Sequence, residues 1–330
     1  MRRDTSRRSI ALPVLLASLL VACGREYHQE EERYFLVTAN VELPYWREAR
    51  AGFLHAARTM RVQAEVVGPA TYSPEEQLRA FQEAVAQRPA GILISVTRPE
   101  LFRAAIDAAV AQGIPVVTMD SDAPDSRRLL FIGTDNFRAG QQSARRIAEL
   151  LKGQGRVVVV TIPGQPNLDE RLRGVQDVFA QQPGIRIIKT IDDRGESRIA
   201  FDEVSALFLA KEKVDGILCL EASGGSGVAD ALPRFDLVGK IPIVAMDKDP
   251  HTLDWIERGS IAATIAQKPY TMSFYGLKML DDLHHNVVLE FKDWRTAPVS
   301  PLPTRIDTGT AVVDKSNLAA FREALAAHAE

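Results

Sequence analysis

Residues 91–120 read GILISVTRPELFRAAIDAAVAQGIPVVTMD. GILISV (91–96) and PVVTMD (115–120) are short apolar runs, and the segment 99–112 between them has the composition of a helix. Strands that are apolar on both faces and separated by a helix belong to a parallel sheet covered on each side. The pattern extends in both directions. Upstream lie YFLVTA (34–39), a helix beginning near Pro44, VQAEVV (62–67) and a helix opened by Ser73-Pro74-Glu75-Glu76. There the capping serine, the proline and the acids all suit a helix N-terminus. Downstream, LLFIGT (129–134) leads to a helix from about 136 to 151. RVVVVTI (156–162), IRIIKTI (185–191), VDGILCLE (214–221), IPIVAMD (241–247) and a last strand at 260–266 follow. Helices at 168–181, 196–211, 226–232 and 250–258 separate these strands. So many units exceed one sheet of normal size, and the expectation is an α/β protein of two doubly wound parallel-sheet domains.

The bulk numbers agree. The chain has 330 residues, 46% hydrophobic, 25% charged and 7% aromatic, with a formal net charge of −3. These fractions exclude disordered, collagenous and multi-span membrane classes, and the length favours two domains. Two cysteines cannot build a disulfide framework or a four-cysteine zinc site. No Lys/Arg run gives a nucleic-acid footprint, and no partner of that kind is expected.

The N-terminus has its own logic. MRRDTSRRSI carries four arginines, ALPVLLASLLVA is apolar, and Cys23 closes the stretch. A basic segment, an apolar run of about a dozen residues and a small-residue end make a secretory signal, too short to span a membrane. Leu20-Val21-Ala22-Cys23 resembles the lipobox of bacterial lipoproteins, which implies removal of 1–22 and lipidation of Cys23. Loss of four arginines and one aspartate leaves a net charge of −6. Residues 23–33, polar and rich in glutamate, are expected to be a flexible tether between lipid and fold. The expected location is the periplasm or cell surface. Cys219, inside an apolar run, is expected to be a buried free thiol.

Ligands in such sheets sit beyond the carboxyl ends of the strands. The residues there are Asn40 through Trp46, Asp120-Ser121, the PGQPNLDER loop, Asp192-Asp193-Arg194, Glu221, Asp247 and Gln267. They offer carboxylates, amides, arginines and two adjacent aromatics, without a Ser/His/Asp pattern, paired ligating histidines or a phosphate loop. Hydrogen-bonding groups beside a flat apolar face suit a polyhydroxylated ligand, and no enzymatic activity or cofactor is expected.

The order of PYW, TMDSDAP, IGTDN, NLDERLRG, VAMDKDP and IAATIAQKP resembles the periplasmic sugar-binding proteins of the ribose/galactose type. Such proteins are the substrate-binding components of ABC importers and share a fold with LacI-type effector domains. The resemblance spans about residues 34 to 325. It implies that Tyr45 and Trp46 sandwich a sugar ring, that Asp120 and Asp247 accept from hydroxyls, and that Arg171 donates a fork of hydrogen bonds. Gln267 would contact the ligand from its strand end, with Asn40, Arg194 and Glu221 completing the site. Glu221, Ser121, Met246 and Leu43 depart from the ribose-type pattern, so ribose is not implied as the ligand. Asp120 and Asp247 also suit turn caps.

The resemblance further implies a type I periplasmic binding fold with a three-strand hinge. Crossings would fall near Thr134–Asn136, Gln267–Pro269 and Pro298–Pro303. One lobe would comprise 34–134 plus about 268–298, the other 135–267 plus about 299–330. Partners would be a sugar, an ABC permease and a membrane reached through the lipid anchor, with the protein a monomer. A receptor feeding a membrane sensor would share every one of these features. SGGSGVAD lacks the spacing of a nucleotide loop. His284-His285 are expected at the surface, since adjacent helical histidines point about 100° apart. Asp192-Asp193 and Asp281-Asp282 lack the ligand count of a calcium loop.

Overall fold

A computed structural model describes residues 28–29, 31–285 and 302–327. The expected signal segment, Cys23 and the first part of the tether lie outside the described residues. The chain forms two six-stranded sheets with helices on both faces.

The first sheet runs β2-β1-β3-β4-β5-β11. Its strands are β1 (Arg33–Val37), β2 (Gln63–Val67), β3 (Gly91–Ile94), β4 (Val116–Met119), β5 (Phe131–Gly133) and β11 (Arg305–Asp307). All its pairings are parallel. The second sheet runs β7-β6-β8-β9-β10-β12. Its strands are β6 (Gly155–Thr161), β7 (Ile185–Asp192), β8 (Gly216–Cys219), β9 (Ile243–Met246), β10 (Ala263–Ala266) and β12 (Ala311–Asp314), with only β12 antiparallel. β3, β4, β5, β8, β9 and β10 are buried at every residue, as strands covered on two faces require.

Helices α1 (Pro44–Met60) and α9 (Pro269–His285) pack on one face of the first sheet, and α2 (Pro74–Ala86) and α3 (Pro99–Ala111) on the other. In the second lobe α4 (Asn136–Leu150) pairs with α5 (Pro166–Ala180), while α6 (Ser197–Leu209) pairs with α7 (Gly224–Ala231). Helices α8 (Pro250–Arg258) and α10 (Leu318–Ala327) complete the second lobe. Among the described residues, six α-helices open with a proline in the first turn, where its missing N–H costs nothing. Ser73, Asp135 and Asp249 cap α2, α4 and α8 by accepting from backbone N–H groups at 3.0–3.3 Å.

The chain passes between the sheets from β5 to α4 and again from β10 to α9. The third passage lies beyond the Pro298–Pro303 stretch expected for it. β11 at 305–307 is still in the first sheet, in parallel register with β5, so the chain changes lobes between Asp307 and Ala311. The open edge of β5 is the reason, since it gains a ladder partner before the chain leaves. Residues 298–301 of the expected crossing lie outside the described residues. The end of the expected flexible tether is also corrected: Arg33 opens β1, and Glu32 is buried. Cys219 is a free, fully buried thiol whose pKa burial pushes well up.

Candidate functional site

Both sheets have the strand order of doubly wound domains, and each reverses direction beside its first strand. The carboxyl ends at these reversals face each other across the cleft between the lobes. β1 brings Asn40 to the cleft from one side, and β6 and β8 bring Gln165 and Glu221 from the other, while Ser95 at the end of β3 lies behind the lining and donates to Asp120. The cleft holds a cavity of about 530 Å³, its open mouth included. Asn40, Tyr45, Trp46, Asp120, Arg171, Glu221, Asp247 and Gln267, all singled out in the sequence, line it.

Arg171 is the hub. It is 1% exposed and donates Nε to Asn136 Oδ1 at 2.9 Å, Nη1 to the Leu220 carbonyl at 2.7 Å and Nη2 to Gln267 Oε1 at 2.8 Å. Three of its five N–H groups are thereby held by the protein. Gln267 passes the order on. Its Oε1 also accepts from Thr134 Oγ1 at 2.8 Å, and its Nε2 donates to Asp247 Oδ1 at 3.0 Å.

The two aspartates differ in what they have left to give. Asp120 Oδ1 accepts from the Tyr45 hydroxyl at 2.8 Å, and Oδ2 from Ser95 at 3.1 Å and Asn167 at 3.3 Å. Those bonds use three of about four acceptor positions on a carboxylate. Asp247 has a single side-chain partner, Gln267, and so keeps more acceptor capacity. Burial pushes both pKa values up, Asp247 to about 7, while the Arg171 charge opposes the shift. Both residues sit at positive φ, 61° and 68°, a conformation aspartate tolerates better than most residues.

Asn167 reaches Asp120 from the opposite lobe, and Lys248 reaches Glu48 of α1 at 2.5 Å. The lobes are therefore drawn together, with the cavity between them.

Three expectations need correction. Tyr45 and Trp46 do not form a sandwich: their rings meet edge to face with centroids 5.0 Å apart. Consecutive residues on one helix point about 100° apart, so both border the cavity without their rings facing each other across it. Tyr45 also spends its hydroxyl on Asp120, and its pKa lies well above the usual range because of burial. Arg194 is exposed and lies outside the cavity lining. The left-handed turn at Arg194 and Gly195, φ 54° and 71°, leaves Asp193 inside instead. Glu221 lines the cavity but is largely committed to the start of α7. Its Oε2 accepts from the Ser223 N–H and hydroxyl, both at 2.7 Å, and its Oε1 from Gly224 N–H. Burial and the adjacent Glu221 carboxylate push the Asp193 carboxyl well up from its ordinary range.

Asn136, Tyr72 and Ser95 are not singled out by the sequence, and Gln165 and Asn167 only as part of the PGQPNLDER loop. Asn136 and Asn167 sit inside IGTDN and NLDER, so the signal for them was the motif itself. Tyr72 lies in a loop after β2 and carries no such mark; burial raises its pKa to about 12.

Residues 34–285 match the family model of the periplasmic binding protein domain. The chain is 23% identical over 259 residues to the D-allose-binding periplasmic protein of Escherichia coli K12, covering 76% of this chain and 83% of that one. The crystal structure of a sugar-binding protein of a sugar ABC transporter from Bacillus halodurans is 36% identical, with a TM-score of 0.75, over 88% of this chain and 100% of that one. A solute-binding protein from Burkholderia graminis C4D1M in complex with D-arabinose is 27% identical, with a TM-score of 0.80, over 88% of this chain and 98% of that one. The chain belongs to the periplasmic binding protein family, in its sugar-binding ABC transporter branch, with the type I fold expected from its motifs. Its relatives are binding proteins of transport systems and not enzymes, and the family is extracytoplasmic.

Proposed function

We propose that this chain is an extracytoplasmic lipoprotein that captures a single sugar or similar polyol in the cleft and delivers it to an ABC importer. The observation that carries the reading is the buried Arg171–Gln267–Asp247 chain, which is fixed by the protein yet retains both donors and acceptors toward the cavity. A hydroxyl both donates and accepts, so adjacent hydroxyls match such an alternation. Charged partners in a water-poor cleft make these bonds stronger than neutral ones. Trp46, Ile162 and Leu168 supply apolar surface for the faces of a ring. The complexes of relatives with sugars support the ligand class. The lipobox at 20–23 supports the anchor and, with the family, the delivery role.

A thermal-shift screen over pentoses, hexoses, polyols and small glycosides tests this, followed by calorimetry on each hit. A ligand present at 100 times its Kd stabilises the folded state by about 2.7 kcal/mol. The expected result is a raised melting temperature with one or a few related sugars. No shift with any of them would overturn the assignment.

A further inference from the structure

At the end of the first sheet opposite the cleft, the segment entering β1 meets the C-terminus of α9. Glu32 Oε2 lies 3.1 Å from His285 Nε2, and Asp281 Oδ1 lies 3.5 Å from the same nitrogen. These three donor atoms all fall within 4.8 Å of one another. Two carboxylates and one imidazole converge although 253 residues separate Glu32 from His285. His285 is therefore not the surface residue expected from its neighbour; its side chain is 15% exposed.

We propose that Glu32, Asp281 and His285 form a binding site for a divalent transition ion of the zinc type. Zinc takes imidazole nitrogen and carboxylate oxygen at about 2.0–2.2 Å, so tetrahedral ligands lie roughly 3.3–3.5 Å apart. The His285–Asp281 spacing of 3.5 Å matches such an edge, and the His285–Glu32 spacing of 3.1 Å would have to open slightly to admit the ion. Both carboxylates are buried, Asp281 at 4% and Glu32 at 9% exposure, and their adjacent negative charges favour a cation between them in addition to the histidines they already pair with. Asp281 is also held in orientation from outside the donor set. Tyr34 donates its hydroxyl to Oδ1 at 3.1 Å, and His28 Nε2 lies 2.8 Å from Oδ2. Partners of this sort fix a ligating carboxylate and tune its affinity. The negative end of the α9 dipole adds to the attraction for a cation. An ion here would clasp the chain preceding β1 onto the fold and fix where the N-terminal segment leaves the domain.

The test uses the full chain stripped with a chelator and titrated with zinc chloride by calorimetry, with cobalt(II) as a spectroscopic substitute. One ion per chain, visible ligand-field bands with cobalt and a zinc-dependent rise in melting temperature are expected. Glu32→Gln and His285→Gln should each weaken binding by about tenfold or more, and His28→Ala by about 10–100-fold. His284→Gln should leave it unchanged. Circular dichroism and sugar affinity confirm folding of each variant, because the cleft lies at the other end of β1. No binding by the wild-type chain overturns the proposal, as does binding that survives Glu32→Gln unchanged, which would place the ion on a donor set without Glu32.

Discussion

Gly140 of α4 and Gly174 of α5 let the two helices cross in direct backbone contact. A Cβ added at Gly140 would lie 1.9 Å from the Arg171 carbonyl oxygen, and one at Gly174 would lie 2.1 Å from that of Phe137. Ordinary contacts begin near 3.4 Å, so Gly140→Ala must push α5 away by more than 1 Å. The obstacle is helix backbone, which cannot rotate aside as a side chain can. Overpacking of this kind costs about 1–3 kcal/mol, and the upper end applies because rigid elements meet. Alanine returns up to about 1 kcal/mol through helix propensity. A net loss of about 2 kcal/mol is expected, or roughly 4–8 °C in melting temperature. The displaced turn is the one that carries Arg171, whose Nε bond to Asn136 at 2.9 Å joins the same two helices. Ligand affinity should therefore fall by about tenfold or more, beyond the stability loss. Thermal unfolding and calorimetry with the sugar found by screening measure the two effects. An unchanged melting temperature would refute the packing argument. A lowered melting temperature with unchanged affinity would refute the claim that this crossing positions Arg171.

Asp247→Ala should cost about 2–4 kcal/mol of ligand affinity by calorimetry, whereas Asp125→Ala, on the exposed loop, should bind as wild type. Alanine at φ 68° also costs about 1 kcal/mol of stability, so Asp247→Asn is the variant that isolates the charge. With the pKa of Asp247 raised to about 7, the folded state holds a proton that the unfolded chain releases near 4, so this group's contribution to stability declines as pH rises from about 4 to 7. Ligand hydroxyls favour the ionised acceptor, so affinity should decline below pH 7, and Asp247→Asn should flatten that dependence in a calorimetric pH series. Lys248→Met removes the bond to Glu48 that joins the lobes; affinity should drop a few-fold, and solution scattering of the ligand-free protein should show a larger radius of gyration. Cys23→Ser should release the protein from the membrane fraction with binding intact, and an unlipidated wild-type N-terminus by mass spectrometry would contradict the anchor.

Much of the architecture is local and therefore present in the sequence. Buried parallel strands are short apolar runs such as VVTM and GILI, and prolines and capping residues mark where the helices begin. Because ligands gather at strand ends in this topology, Asp120, Asp247 and Gln267 could be named by position alone, and all three line the cavity. What each does there was settled by contacts between residues far apart in the chain. Asp120 spends most of its acceptors on Tyr45, Ser95 and Asn167, Glu221 turns to the start of its own helix, and Tyr45 touches Trp46 instead of opposing it. A single left-handed turn exchanges Arg194 for Asp193 inside the lobe. β11 stays with the first sheet because β5 offers an open edge, which no property of Arg-Ile-Asp announces. The cluster of Glu32, Asp281 and His285 exists only because β1 and α9 pack on the same lobe from opposite ends of the sequence. Periodicity and breakers fix an element within a few residues of chain. Hydrogen-bond partners depend on the close packing of elements, where an ångström decides whether a group is shared, spent or free.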